Sequence, residues 1–209
     1  MTVLNRIASL QNRRDDGPNQ ELARELASRK DRAGIREIVE NLRNKDPKIQ
    51  SDCIKVLYEI GYLDPALIAD YLGDFLTLLA SRQNRLVWGG MIALSTLAEL
   101  KADEIFRSYA QVTRAMQAGS VITMDNGIKT LATVASRDPA YSRRIFPDLL
   151  NHLATCRPKD VPPHAEKILV AVNADNRGEF VVVLEKRMDD LRGSQLARLK
   201  KVIQEAGKR

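Results

Sequence analysis

The chain has 209 residues, 33 Lys and Arg against 27 Asp and Glu, and a net charge of +6. Its 44% hydrophobic content sets it apart from disordered chains, and it holds no apolar run of the roughly 18 residues that a membrane helix needs. Two cysteines (Cys53, Cys156) and two histidines (His152, His164), isolated from one another along the chain, offer no disulfide framework and too few ligands for a Cys/His zinc centre.

In chain order, residues 2–14 form an amphipathic pattern that predicts a capping helix within residues 1–18. No signal-peptide apolar core interrupts Arg6, Arg13 and Asp15, so a cytoplasmic protein without membrane contact is expected. Residues 19–45 read as a degenerate helix pair, with Leu22, Ala23 and Leu26 on one helix and Ile35, Ile38, Val39 and Leu42 on the next. From residue 46 a clear period emerges. Cys53, Leu57 and Ile60 recur as Gly90, Leu94 and Leu97, as Gly127, Leu131 and Val134, and as Ala165, Leu169 and Val172, at steps of 37, 37 and 38 residues. Each triplet places a small residue and two larger apolar ones on one helical face.

A second stripe keeps the same step. Ile68, Leu72, Phe75 and Leu79 correspond to Ile105, Tyr109, Val112 and Met116, then to Ser142, Phe146, Leu149 and Leu153, then to Phe180, Leu184, Arg187 and Leu191. The apolar pattern decays at Ser142 and Arg187. Asp46-Pro47, Asp64-Pro65 and Asp138-Pro139 place a capping carboxylate before a proline suited to the first helical turn. The predicted repeats are 46–81, 82–119, 120–156 and 157–193. Residues 194–209 form a basic C-terminal cap helix with Ser194 as its N-cap and Leu196, Leu199, Val202, Ile203 and Ala206 inward. The expected fold is all-α: one right-handed α-solenoid domain of about five antiparallel helix pairs, because one pair cannot bury its apolar face alone.

The paired helices, the step of 37, the turn aspartates and second helices such as Ile145-Phe-Pro147-Asp-Leu-Leu-Asn-His-Leu153 resemble HEAT-like repeats of the armadillo/HEAT superfamily over roughly residues 20–191. The resemblance implies first helices on a convex face and second helices on a concave one. It leaves function open among scaffolds, adaptors and regulatory subunits, with DNA-repair enzymes in a few branches.

No Gly-rich phosphate loop, nucleophile elbow or His-Glu-x-x-His occurs, so a non-enzymatic module without cofactor or metal is expected. If the second helices face inward, Asp70, Arg107 and Arg144 form one polar row and Asp74, Gln111, Asp148 and Lys186 another, with Arg114 nearby. Two readings stand beside each other: a groove for a protein or peptide, and a ladder of solvated ion pairs. Trp88, beside Gly89-Gly90, reads either as inter-repeat packing or as a recognition residue of the kind the resemblance to HEAT-like DNA glycosylases implies. That second class needs an aromatic, a carboxylate and an arginine in one cleft. Cys53, in the small position of its repeat, reads as buried packing rather than a reactive thiol.

The positive charge is not evenly spread. Residues 1–45 carry +3, residues 46–156 carry −1 and residues 157–209 carry +4, of which Arg198, Lys200 and Lys201 form the core of a C-terminal basic tip. Without a continuous basic stripe, nucleic acid is the less favoured partner and a protein or peptide the favoured one.

Overall fold

A computed structural model describes residues 2–209, and it is all-helical, with no strand among the described residues. The chain forms two compact units, one ending at Gly127 and the other spanning Ile128–Arg209.

The first unit contains α1 (Gly17–Arg29), α2 (Arg32–Glu40), α3 (Pro47–Leu63), α4 (Leu72–Leu78), α5 (Asn84–Leu97), α6 (Ala102–Arg107) and α7 (Tyr109–Ala118). The first helices α1, α3 and α5 stack in sequence, and α2 and α4 pack against them as a second layer. This is the α-solenoid arrangement that the repeat dictates. Within the unit, the repeated triplet residues Cys53, Leu57, Ile60, Leu94 and Leu97 are all buried, as is the full second-helix stripe from Ile68 to Met116.

Glycine sets how closely the layers approach. A methyl group on Gly89 would stand 2.7 Å from Ile54 Cγ1 on α3, and one on Gly90 3.0 Å from the Phe75 carbonyl on α4. Gly90 is thus the small position of the repeat. Gly89, which the period leaves unexplained, admits the neighbouring first helix. The predicted caps form: Asp46 accepts from the Lys48 amide at 2.8 Å and Asp64 from the Ala66 amide at 3.2 Å.

Three features of this unit depart from the expected helices. Residues 2–14 are not one amphipathic helix but two 3-10 turns, Leu4–Arg6 and Ser9–Gln11, closed by Asn12 in the left-handed region at φ 55°. Their backbone amides find side-chain acceptors in place of a helical ladder: Val3 donates to Glu37 at 3.1 Å, Ala8 to Asn19 at 2.9 Å and Ser9 to Asp52 at 2.7 Å. The second helix of the third pair is divided at Ser108 into α6 and α7, and the α4 segment begins as 3-10 turns at Pro65–Leu67 and Ala69–Tyr71.

Helix α8 (Val121–Ala135) contains the boundary between the units. The second unit continues with α9 (Pro139–Thr155), α10 (Val161–Ile168), α11 (Arg177–Lys186) and α12 (Gly193–Ala206). Here α9 packs against α11 and α10 against α12, again in two layers. Asp138 caps α9 through the Ala140 amide at 2.6 Å. Helix α12 starts two residues earlier than expected: Arg192, not Ser194, is its N-cap, Gly193 supplies the left-handed φ of +56°, and Ser194 lies inside the first turn.

Both positions where the apolar stripe decays are interior. Ser142 and Arg187 are each only 9% exposed. Arg187 donates to the carbonyls of Leu153 at 2.5 Å and Cys156 at 2.8 Å, and its Nε donates to Asp190 at 2.5 Å. The end of α9 leaves carbonyls without helical partners, and the guanidinium fork satisfies them from inside the stripe.

Candidate functional site

The second-helix surface of the first unit holds five of the predicted binding residues, and the structure divides them by what they already do. Gln111 donates to the Leu76 carbonyl at 2.7 Å, tying α7 to the preceding second helix. Asp74 accepts from Arg43 at 2.8 Å, an inter-repeat pair that leaves its side chain 28% exposed. Asp70 is open, with a side chain 77% exposed and Arg32 at 3.8 Å. Arg107 at the end of α6 and Arg114 on the outer face of α7 are exposed and form no ion pair within 4 Å among the described residues. Gln111 and Asp74 thus serve the stack, while Arg107 and Arg114 are exposed, Arg107 near enough to Glu104 to help lower its carboxyl.

In the second unit, Arg144 and Asp148 form an i,i+4 pair on α9 at 3.6 Å, and Lys186 ends α11 in solvent. The basic tip is smaller than its composition implies. Arg198 is held by Glu166 through two contacts of 2.5 Å, and the guanidinium holds the Glu166 carboxyl below its ordinary range. Lys200 and Lys201 remain exposed.

A polar cleft of about 810 Å³ lies where the first helices of the first unit begin, lined by residues that include Ser9, Arg13, Arg14, Asp16, Lys48, Asp52 and Arg85. Its carboxylates are engaged. Asp52 holds the Ser9 amide and the Asn19 side chain, and Asp16 stands between Lys55 at 3.3 Å and Arg85 at 3.9 Å. Sequence reasoning missed this cleft because its walls come from three separate helix starts. The repeat of helix beginnings near residues 17, 47 and 84 was the available signal.

Trp88 is half-buried beside it. Its ring lies 6.2 Å from Tyr58 on α3, with the Arg85 guanidinium 5.8 Å from the ring centroid. Packing between consecutive first helices accounts for its position. Asp16, Arg85 and Trp88 do meet, but on the edge formed by first helices, and Asp70 and Asp74 pair with Arg32 and Arg43 instead. Cys53 is fully buried, and desolvation pushes its thiol up to about 12.

The largest correction concerns the histidines. Isolated in sequence, His152 and His164 meet in the second unit, with His152 Nε2 at 2.8 Å from His164 Nδ1 and ring centroids 4.9 Å apart. Cys156 completes the corner: one ligand atom from each of the three residues lies within 4.8 Å of the other two. Burial, with His164 next in weight, lowers His152 to about 4, and burial raises the Cys156 thiol. The i,i+4 spacing of His152 and Cys156 was legible, but the turn that returns His164 to them was not.

No protein-family model matches the chain, and no curated protein does. Solved structures do. An engineered protein superposes with a TM-score of 0.68 at 16% identity, covering 100% of this chain and 98% of its own. A designed armadillo repeat protein in complex with the peptide (KR)4 gives 0.68 at 12% identity, covering 90% of this chain and 85% of its own. Kap121p gives 0.67 at 16% identity, covering 92% of this chain but 21% of Kap121p. These likenesses show the fold, a helical-repeat α-solenoid.

Proposed function

We propose that this protein is a non-catalytic interaction module that binds an acidic protein or peptide segment through the second-helix surface of its first unit. The observation that carries the reading is the division of labour on that surface. Gln111 and Asp74 are already used in the stack, whereas Arg107 and Arg114 are exposed guanidinium groups with no ion pair within 4 Å among the described residues, Arg107 acting on Glu104 only as a more distant charge. A guanidinium presents a planar fork that matches a carboxylate in bidentate geometry. The solenoid supplies a rigid base, so few backbone degrees of freedom are lost on binding.

The structural neighbours support a peptide-binding use of this fold, since one is a designed armadillo repeat protein with a bound (KR)4 peptide. The charge preference is reversed here, because the uncommitted groups on this chain are cationic. Asp70, paired with Arg32 at 3.8 Å, would attract a basic peptide, and the two arginines outweigh it.

Fluorescence anisotropy with labelled (DE)4 and (KR)4 peptides at low and moderate salt tests this. The expected result is salt-sensitive binding of (DE)4 and weaker binding of (KR)4. The double substitution Arg107→Glu and Arg114→Glu should lower (DE)4 affinity by about tenfold, the scale of a few exposed charge contacts, with an unchanged circular dichroism spectrum. Equal affinity for both peptides, or full (DE)4 affinity in the double variant, would overturn the reading.

A further inference from the structure

The corner between α9 and α10 brings together the chemistry of a metal centre. His152 and Cys156 are four residues apart at the C-terminal end of α9, where the Cys156 amide still donates to the His152 carbonyl at 2.8 Å, so both side chains project from one face. His164 enters from α10 and is 3% exposed. The two imidazole nitrogens that face each other are 2.8 Å apart, and the thiol sulfur falls within the 4.8 Å that spans the set.

Two imidazoles and a thiolate are a borderline-soft N/S donor set, which selects Zn²⁺ over the hard cations that prefer oxygen. Bond lengths of about 2.0–2.1 Å to nitrogen and 2.3 Å to sulfur in a tetrahedron put the two nitrogens roughly 3.3 Å apart and sulfur roughly 3.6 Å from each. Reaching that geometry from the present one needs the imidazoles to separate by about half an ångström, within the range of small side-chain torsions. The surrounding charges permit it. Arg187 is matched by Asp190 at 2.5 Å and Arg157 by Asp160 at 2.7 Å, so the corner carries no excess of fixed positive charge.

We propose that His152, Cys156 and His164 form a Zn²⁺ site that clamps α9 to α10, with the fourth position left to water. On binding, the thiol proton leaves to solvent and the imidazole proton between the two rings moves to the far nitrogen of the ring that carries it, so both facing nitrogens offer lone pairs, Cys156 Sγ becomes a thiolate ligand, and no redox partner is required. Arg187 has a positioning role, because its bonds to the Leu153 and Cys156 carbonyls fix the backbone that carries the thiolate.

Titration of the full chain, chelator-treated and kept reduced, with Co²⁺ reads the site directly. The expected result is a tetrahedral visible absorption with a thiolate-to-cobalt charge-transfer band that saturates at one equivalent and is displaced by Zn²⁺. Cys156→Ser should remove the charge-transfer band, and His152→Gln should weaken Co²⁺ binding at least tenfold. Alkylation followed by mass spectrometry gives a second readout that needs no variant: Zn²⁺ should protect Cys156, while Cys53, buried in the first unit, stays unlabelled with or without metal. A Co²⁺ spectrum without the tetrahedral or charge-transfer bands, bands that persist in Cys156→Ser, or an alkylation rate of Cys156 unaffected by Zn²⁺ would each overturn the proposal. None of these outcomes bears on the acidic-peptide reading, which rests on the other unit.

Discussion

Phe75 in the first unit and Arg187 in the second occupy the same position of the repeat, and both are buried. Phe75 is fully enclosed and fills the space between α4 and α5, where Gly90 lets the helices approach its backbone. Arg187 fills the equivalent space with a charged fork bonded to two carbonyls and one carboxylate. One position of a repeat can thus be satisfied by apolar volume or by a fully partnered polar group, but not by a polar group without partners. Both units also bury partnered polar side chains, Asn19 in the first and His164 in the second. What differs is this one position: the first unit fills it with a ring, and the second with a guanidinium beside the His152, Cys156 and His164 corner.

The sharpest way to break this contrast is to truncate both residues. Phe75→Ala removes a fully buried ring and should cost about 3–5 kcal/mol. Arg187→Ala leaves two carbonyls without their donor and should cost about 3 kcal/mol, while Arg187→Lys should restore only part of it because an ammonium cannot reproduce the fork. Urea unfolding checks both. Trp88, the only tryptophan, lies in the first unit, so its fluorescence should follow Phe75→Ala more closely than Arg187→Ala. Full rescue by lysine would show that charge alone, rather than the partnered geometry, sustains the second unit.

A smaller effect separates the two units at glycine. Gly89→Ala meets Ile54 and should destabilise by about 1–2 kcal/mol, the overpacking cost less the helical gain. Gly178, in the first turn of α11, has nothing within 4 Å of an added methyl, so Gly178→Ala should stabilise by about 0.5 kcal/mol. Thermal melts of the two variants should move in opposite directions.

The smallest expected change is at the exposed Arg198–Glu166 pair. Its Glu166 carboxyl is held below its ordinary range by the Arg198 hydrogen bonds. The folded state therefore binds that proton later than the unfolded state does. The contribution is present above the unfolded carboxylate range and is lost as pH falls through the folded value. Because the pair is screened by water and salt, Glu166→Gln should change stability at neutral pH by no more than about 1 kcal/mol, and the difference from the parent protein should vanish in acid.

Much of this architecture was legible in the sequence because burial imposes periodicity. All four members of the stripe beginning at Ile68 are buried, and the three aspartate-proline steps cap as their chemistry requires. The N-terminal segment was not legible, since its amides depend on Glu37, Asn19 and Asp52, which are distant in sequence. Arg187 looked like a lapse in the repeat because periodicity registers apolarity and not the presence of partners. Within the expected binding rows, register could not separate Gln111, which bonds to Leu76, from Arg107 and Arg114, which are exposed with no ion pair within 4 Å among the described residues.

The central claim is that an acidic segment binds the outward arginines of the first unit. Amide hydrogen exchange of the intact chain, with and without saturating (DE)4, tests it by location. Protection concentrated in residues 102–118, which carry Arg107 and Arg114, is the predicted result. Protection confined to the polar cleft around residues 8–16 and 47–52, or to the second unit from Ile128 onward, would contradict it.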